Sequence, residues 1–180
     1  NINHCIYGLD ADLIMLGLLL TKIGHNIVLY RETKHFEYIP KINKHENYLF
    51  LLNRMALQIS KIMGTTDNKM AVSNYILLCF LCGNDFLPHF ASINIRNEGI
   101  HQIIDVYHTL SDKELVKPNN QLNWRNINEL MCKLSVNETD DIMKNIQWKI
   151  EKAKRVRVKT YEEKLNALPL KDMDDEIYLL

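Results

Sequence analysis

Two short acidic clusters carry the strongest chemical signal in this sequence: Asp10 and Asp12 in Gly8-Leu9-Asp10-Ala11-Asp12, and Asp85 in Gly83-Asn84-Asp85. Side chains two positions apart share a face of extended chain, and the small Ala11 leaves room, so Asp10 and Asp12 can approach one ion. Asp85 follows a segment whose last turns are wholly apolar, a poor place for an unpaired charge. A carboxylate there must be paired, neutralised or bound to a metal. Three carboxylates delivered by apolar elements suit a hard cation: Mg²⁺, with Mn²⁺ as the alternative, takes about six oxygen ligands and keeps several waters. Two such ions roughly 4 Å apart generate hydroxide, orient a scissile phosphate and neutralise the leaving oxygen. The second ion needs further carboxylates, and only half of such a site is visible. Glu32 lies in charged sequence after a strand, and the patch Asp172, Asp174, Asp175 and Glu176 follows a helical stretch. The competing structural reading makes Asp12 a helix cap and Asn84-Asp85 a polar turn at a helix end.

The elements that must position these residues follow from the pattern. His4 to Tyr7 reads as a short strand closed by Gly8, Asp12 to Lys22 as a helix stopped by Gly24, and Asn26 to Tyr30 as a second strand. Ile27-Val28-Leu29-Tyr30 is an unbroken apolar run, which suits a strand covered on both faces. Parallel sheets place their chemistry beyond the carboxyl ends of the strands, where Asp10 and Asp12 fall. Residues 31–46 read as a charged surface connection. Tyr48, Leu51, Leu52, Met55, Ile59 and Ile62 recur at helical spacing, predicting one helix over 47–62. Asp67 is placed to cap a helix over 68–82 that is apolar on nearly all sides and ends at Gly83. Beyond Pro88 the texture turns helical: 101–107, 124–134 and 138–164, with a polar connection over 111–121. From Lys144 to Lys164 there are eight Lys/Arg against three Glu, which reads as a solvated face before it reads as a phosphate-facing one.

The chain has 180 residues, 22 basic against 22 acidic, so binding to nucleic acid by charge excess alone is excluded, though an acidic metal site balanced by basic contacts is not. Apolar residues make up 47%, enough for a core, and six Gly with four Pro argue against a disordered or collagen-like chain. The longest apolar runs, Leu13 to Leu20 and Tyr75 to Cys82, are eight residues each, far short of the roughly 20 that cross a bilayer. No membrane segment or signal sequence is expected, which points to an intracellular protein, nuclear or cytoplasmic. Cys5, Cys79, Cys82 and Cys132 read as reduced thiols. Cys79 and Cys82 have metal-like spacing, but no second pair completes a zinc site.

The blocks CIYGLDADLIMLGL (5–18), LYRE (29–32) and FLCGNDFLPHFASINIRNEGI (80–100) closely resemble the XRN family of 5′→3′ exoribonucleases, within the wider PIN-like and flap-endonuclease-like nucleases. The resemblance is strong from residue 4 to about 107 and continues more faintly through NNQLNWRNINELMCKL. It implies an α/β fold: the C-terminal part of a PIN/FEN-like parallel-sheet nuclease core over 1–90, then an all-helical extension over 91–180. It implies that Asp10, Asp12 and Asp85 are metal ligands in a seven-carboxylate, two-Mg²⁺ centre. Asn84 and His89 match neighbouring letters of the motif and shape the site. The implied substrate is single-stranded RNA with a 5′-monophosphate, hydrolysed to nucleoside 5′-monophosphates.

The family's first carboxylates, its 5′-phosphate pocket and its stacking aromatic belong to an N-terminal part that does not match here, and Ala91 stands where proline is common. The chain is therefore expected to supply half a metal site and to need that N-terminal part, in the same chain or another, for catalysis. The alternatives are a non-catalytic XRN-like RNA-binding or helical interaction module, and a structure-selective FEN-like DNA nuclease.

Overall fold

The computed structural model describes residues 3–32, 43, 47–84, 87–90, 92–93 and 99–155. Its first unit is a β-α-β crossover: β1 (Asn3–Tyr7), α1 (Asp12–Thr21) and β2 (Asn26–Glu32), with the two strands parallel and Tyr7 level with Tyr30. Gly24, at φ +87°, turns the chain from α1 towards β2. Ile27 and Leu29 point to the face that α1 covers and are buried, whereas Val28 and Tyr30 on the other face are half-buried. Gly17 is what lets α1 sit so close. A Cβ there would collide with Leu52 and press on Ile27 Cγ2 at 3.4 Å.

The helix expected over 47–62 is instead a strand and a helix. β3 (Asn47–Leu51) pairs antiparallel with the outer edge of β2, Tyr30 opposite Leu49, and only then does α2 (Leu52–Ile62) begin. The sheet is therefore mixed, in the order β1-β2-β3. The tyrosine and leucines of 48–51 fit helical spacing, but their uninterrupted apolar character fits a strand equally, and the open edge of β2 decides. α2 lies beside α1 on the same sheet face and buries Leu52, Ala56 and Ile59.

α3 (Asn68–Leu81) starts as expected: the Asp67 carboxylate accepts the amides of Lys69 and Met70 at 2.9 and 3.1 Å. Its apolar sides are absorbed by α1, α2 and α4 (Gly99–His108). α5 (Trp124–Leu134), a single 3₁₀ turn and α6 (Glu138–Arg155) complete the described chain. The basic stretch beyond Arg155 and the acidic patch at 172–176 lie outside the described residues, as does most of the connection over 31–46.

One continuous core runs from Leu18 and Leu29 through Met63, Val72 and Leu78 to Ile103, Tyr107 and Leu130, so the α/β unit and the helices pack as one body. Asn74 ties α3 to α4 and to the 113–116 connection by polar contacts. This fully buried amide donates to Lys113 O at 2.7 Å and Tyr107 Oη at 3.2 Å and accepts from Val116 N at 3.0 Å. Among the described residues no helix is long and apolar enough to cross a membrane.

Candidate metal centre

Asp10 and Asp12 occupy the turn between the carboxyl end of β1 and the first turn of α1. Asp10 is exposed and Asp12 half-buried. Asp12 does not cap the helix: the N-cap position falls on Ala11, and it is Asp10 Oδ1 that accepts the amide of Asp12, at 3.0 Å. One Asp10 oxygen thus fixes the turn while the carboxylate stays at the surface, and Asp12 sits on the first helical residue, where a negative charge meets the positive end of the helix dipole.

The end of β2 locks this turn in place. Tyr30 O accepts the amide of Gly8 at 3.3 Å, and the Arg31 guanidinium donates to the carbonyl of Leu9. Beside them, the Tyr7 hydroxyl donates to Glu32 at 2.8 Å, and the rings of Tyr7 and Tyr30 lie 5.6 Å apart. Glu32 is therefore the last residue of a strand and is engaged across it, not part of a loose connection. Arg31 has a positioning role that spacing in the sequence does not reveal. The LYRE block contains it, but only the parallel register puts it beside Leu9.

The second acidic block leaves α3 through Gly83, at φ +84°, where a Cβ would stand 2.8 Å from the backbone nitrogen of His89. The chain turns back on itself here. Asn84 N donates to Leu87 O at 2.9 Å, Asn84 Oδ1 accepts from Leu87 N at 2.8 Å, and Phe90 N donates to Leu81 O at 3.3 Å. His89 Nδ1 donates to Phe90 O at 2.7 Å, since a carbonyl can only accept. Asp85 lies outside the described residues, so its distance from Asp10 and Asp12 is not defined. Among the described residues, no three His, Cys, Asp or Glu side chains gather closely enough to hold a metal ion. The two carboxylates present fit a hard cation in kind, as oxygen donors on one exposed turn, but they are a partial ligand set.

Burial pushes Cys79 and Cys82 each up to about 11 and Tyr75 up to about 12, so all three stay protonated near neutrality.

Comparison with known proteins matches residues 65–176 to the family model described as "Xrn1 helical domain" and residues 1–33 to "XRN 5'-3' exonuclease N-terminus". The chain belongs to the XRN family. The boundary between the two matches falls ahead of α3, so the GNDFLPH block lies within the helical match. Among similar relatives, 5'-3' exoribonuclease 2 of Eremothecium gossypii is 27% identical over 180 residues, covering 84% of this chain and 19% of that protein. The protein of the same name from Saccharomyces cerevisiae is 30% identical over 140 residues, covering 63% of this chain and 14% of that protein. That of Gallus gallus is 27% identical over 150 residues, covering 63% and 16%. The XRN chain thus spans less than a fifth of the length of these relatives.

Proposed function

We propose that this chain supplies part of the catalytic core of a 5′→3′ exoribonuclease, with Asp10, Asp12 and Asp85 as carboxylate ligands of a Mg²⁺ centre and Asn84 and His89 shaping its rim. The observation that carries the reading is the acidic turn itself. Two carboxylates stand at the carboxyl end of a parallel strand, braced by Arg31 and the end of β2, in a chain whose family relatives are named 5'-3' exoribonucleases. On this reading residues 1–90 close one side of a PIN/FEN-like core and 91–180 form the helical extension. The substrate is single-stranded RNA bearing a 5′-monophosphate.

In that role each residue acts through charge and placement. Bound Mg²⁺ would supply an activated water and neutralise charge on the phosphate. Asp10 and Asp12 would hold it from one side, the turn having been set before binding by the Asp12 amide and the Arg31 guanidinium. Pre-set ligands lose little freedom when the ion binds, which favours a reproducible distance to the scissile phosphate. Gly83 and the Asn84–Leu87 hydrogen bonds would aim the block that carries Asp85. A complete two-ion centre would need carboxylates besides these three.

The test is degradation of 5′-monophosphorylated RNA by the full-length protein. Asp10→Ala and Asp85→Ala should each abolish it while leaving the protein folded. Undiminished degradation by Asp85→Ala would remove that residue from the centre.

A further inference from the structure

A pair of imidazoles stands at the opposite end of the same two strands. His4, on β1, and His25, just before β2, meet with Nε2 of His4 2.8 Å from Nδ1 of His25, the ring centroids 4.8 Å apart and the planes inclined by 41°. At that distance one of the two nitrogens donates its hydrogen to the lone pair of the other. We propose that His4 and His25 form a two-imidazole chelate for a borderline transition-metal cation of the Zn²⁺ class, distinct from the carboxylate turn.

The geometry needs little change. A cation bound at about 2.0–2.1 Å by each of two nitrogens, with an angle between square and tetrahedral, holds those nitrogens roughly 2.9–3.4 Å apart. Binding the ion between them asks the donor ring to carry its hydrogen on its other nitrogen and the pair to open by a few tenths of an ångström. The backbones that carry the rings are already anchored. Asn53 on α2 donates from Nδ2 to the His25 carbonyl at 3.0 Å and accepts the Ile27 amide on Oδ1 at 2.8 Å, clamping the entry to β2. His4 is held level with Ile27 by the parallel ladder, and beside it Asn26 Nδ2 donates to Asn3 Oδ1 at 2.9 Å.

Ligand chemistry separates the two sites. Imidazole nitrogen favours Zn²⁺, Ni²⁺ and Cu²⁺ over Mg²⁺, whereas the carboxylates of Asp10 and Asp12 favour the hard ion. His4 is exposed, so water can complete the coordination shell. A cation there would tie the amino ends of β1 and β2 together as a staple, away from the carboxyl ends where the acidic turn lies.

The experiment titrates the protein with Zn²⁺ under saturating Mg²⁺, which occupies the carboxylates, by calorimetry and by thermal melting. The unaltered protein should gain melting temperature with Zn²⁺ at neutral pH and lose that gain near pH 5, where protons displace the metal from imidazoles but leave carboxylates charged. His4→Gln and His25→Gln should each weaken one equivalent of Zn²⁺ by at least about tenfold, whereas Asp10→Asn should not change it. Zn²⁺ affinity unchanged in both histidine variants would overturn the site. So would the absence of any acid-sensitive Zn²⁺ stabilisation of the unaltered protein, a result that needs no variant to fold. Neither outcome depends on nuclease activity, so the site can fail while the exoribonuclease reading stands.

Discussion

Replacing Asn74 by Leu should loosen the hold of α3 on α4 and on the 113–116 connection, keeping the branched outline of the side chain while adding roughly two methylenes of volume. The amide is fully buried and makes three hydrogen bonds, to Lys113 O, Tyr107 Oη and Val116 N. Each is worth about 1 kcal/mol net. Lys113 O keeps the Tyr107 hydroxyl at 3.1 Å after the substitution, but the Val116 amide loses its acceptor. A buried donor left unpaired adds about 1 kcal/mol or more, against which the leucine returns some apolar burial, so the loss comes to about 3 kcal/mol. For a chain of this size that is roughly 6–12 °C in Tm. Urea denaturation should show a lower midpoint with an unchanged slope. Tyr107→Phe alone should lose about 1 kcal/mol, and the pair should couple non-additively because both side chains serve Lys113 O. A loss below about 1 kcal/mol for Asn74→Leu would refute the claim that this amide holds the 113–116 connection onto α3.

Other outcomes follow from the same contacts. Gly83→Ala forces a side chain into the left-handed region and against the His89 backbone, and should destabilise by about 2 kcal/mol or more, measured by chemical denaturation. Asp10→Asn keeps the acceptor for the Asp12 amide, so metal-free stability should move by less than about 0.5 kcal/mol, whereas Asp10→Ala should lose about 0.5–1 kcal/mol with that hydrogen bond; a Mg²⁺-dependent rise in Tm of the full-length protein should shrink in both. Cys79, Cys82 and Tyr75 bind their protons more tightly folded than unfolded. Their contribution is thus fully present below about pH 9 and lost as pH climbs through about 11 to 12, which a stability series across that range would show. In the same protein a thiol reagent at pH 8 should modify the exposed Cys5 and Cys132 well before Cys79 and Cys82.

The elements that could be read from the sequence are those with local signals. The β1-α1-β2 crossover has a glycine at each joint, and α3 has both its Asp67 cap and its Gly83 exit. Tyr48-Leu49-Phe50-Leu51 has no polar residue to mark a period, and the contact that makes it a strand, the open edge of β2, lies 15 to 23 residues away in sequence. The acidic turn was legible as a pair of carboxylates, but not the division of labour within it. That Asp10 rather than Asp12 takes the backbone amide depends on the helix beginning one residue earlier than capping by Asp12 would require. Arg31, Tyr7 and Glu32 were hidden for the same reason as β3: their partners are set by strand register. The His4–His25 contact likewise needs the parallel pairing of β1 with β2.

The claim on which the functional reading rests is that Asp10, Asp12 and Asp85 grip one divalent cation. Anomalous diffraction from a Mn²⁺-soaked crystal of the full-length protein measures this directly. The account predicts a Mn²⁺ peak within about 2.5 Å of a carboxylate oxygen from each of the three residues, or of the water that bridges to it. A peak that touches Asp10 and Asp12 with the Asp85 carboxylate more than about 10 Å away would contradict it.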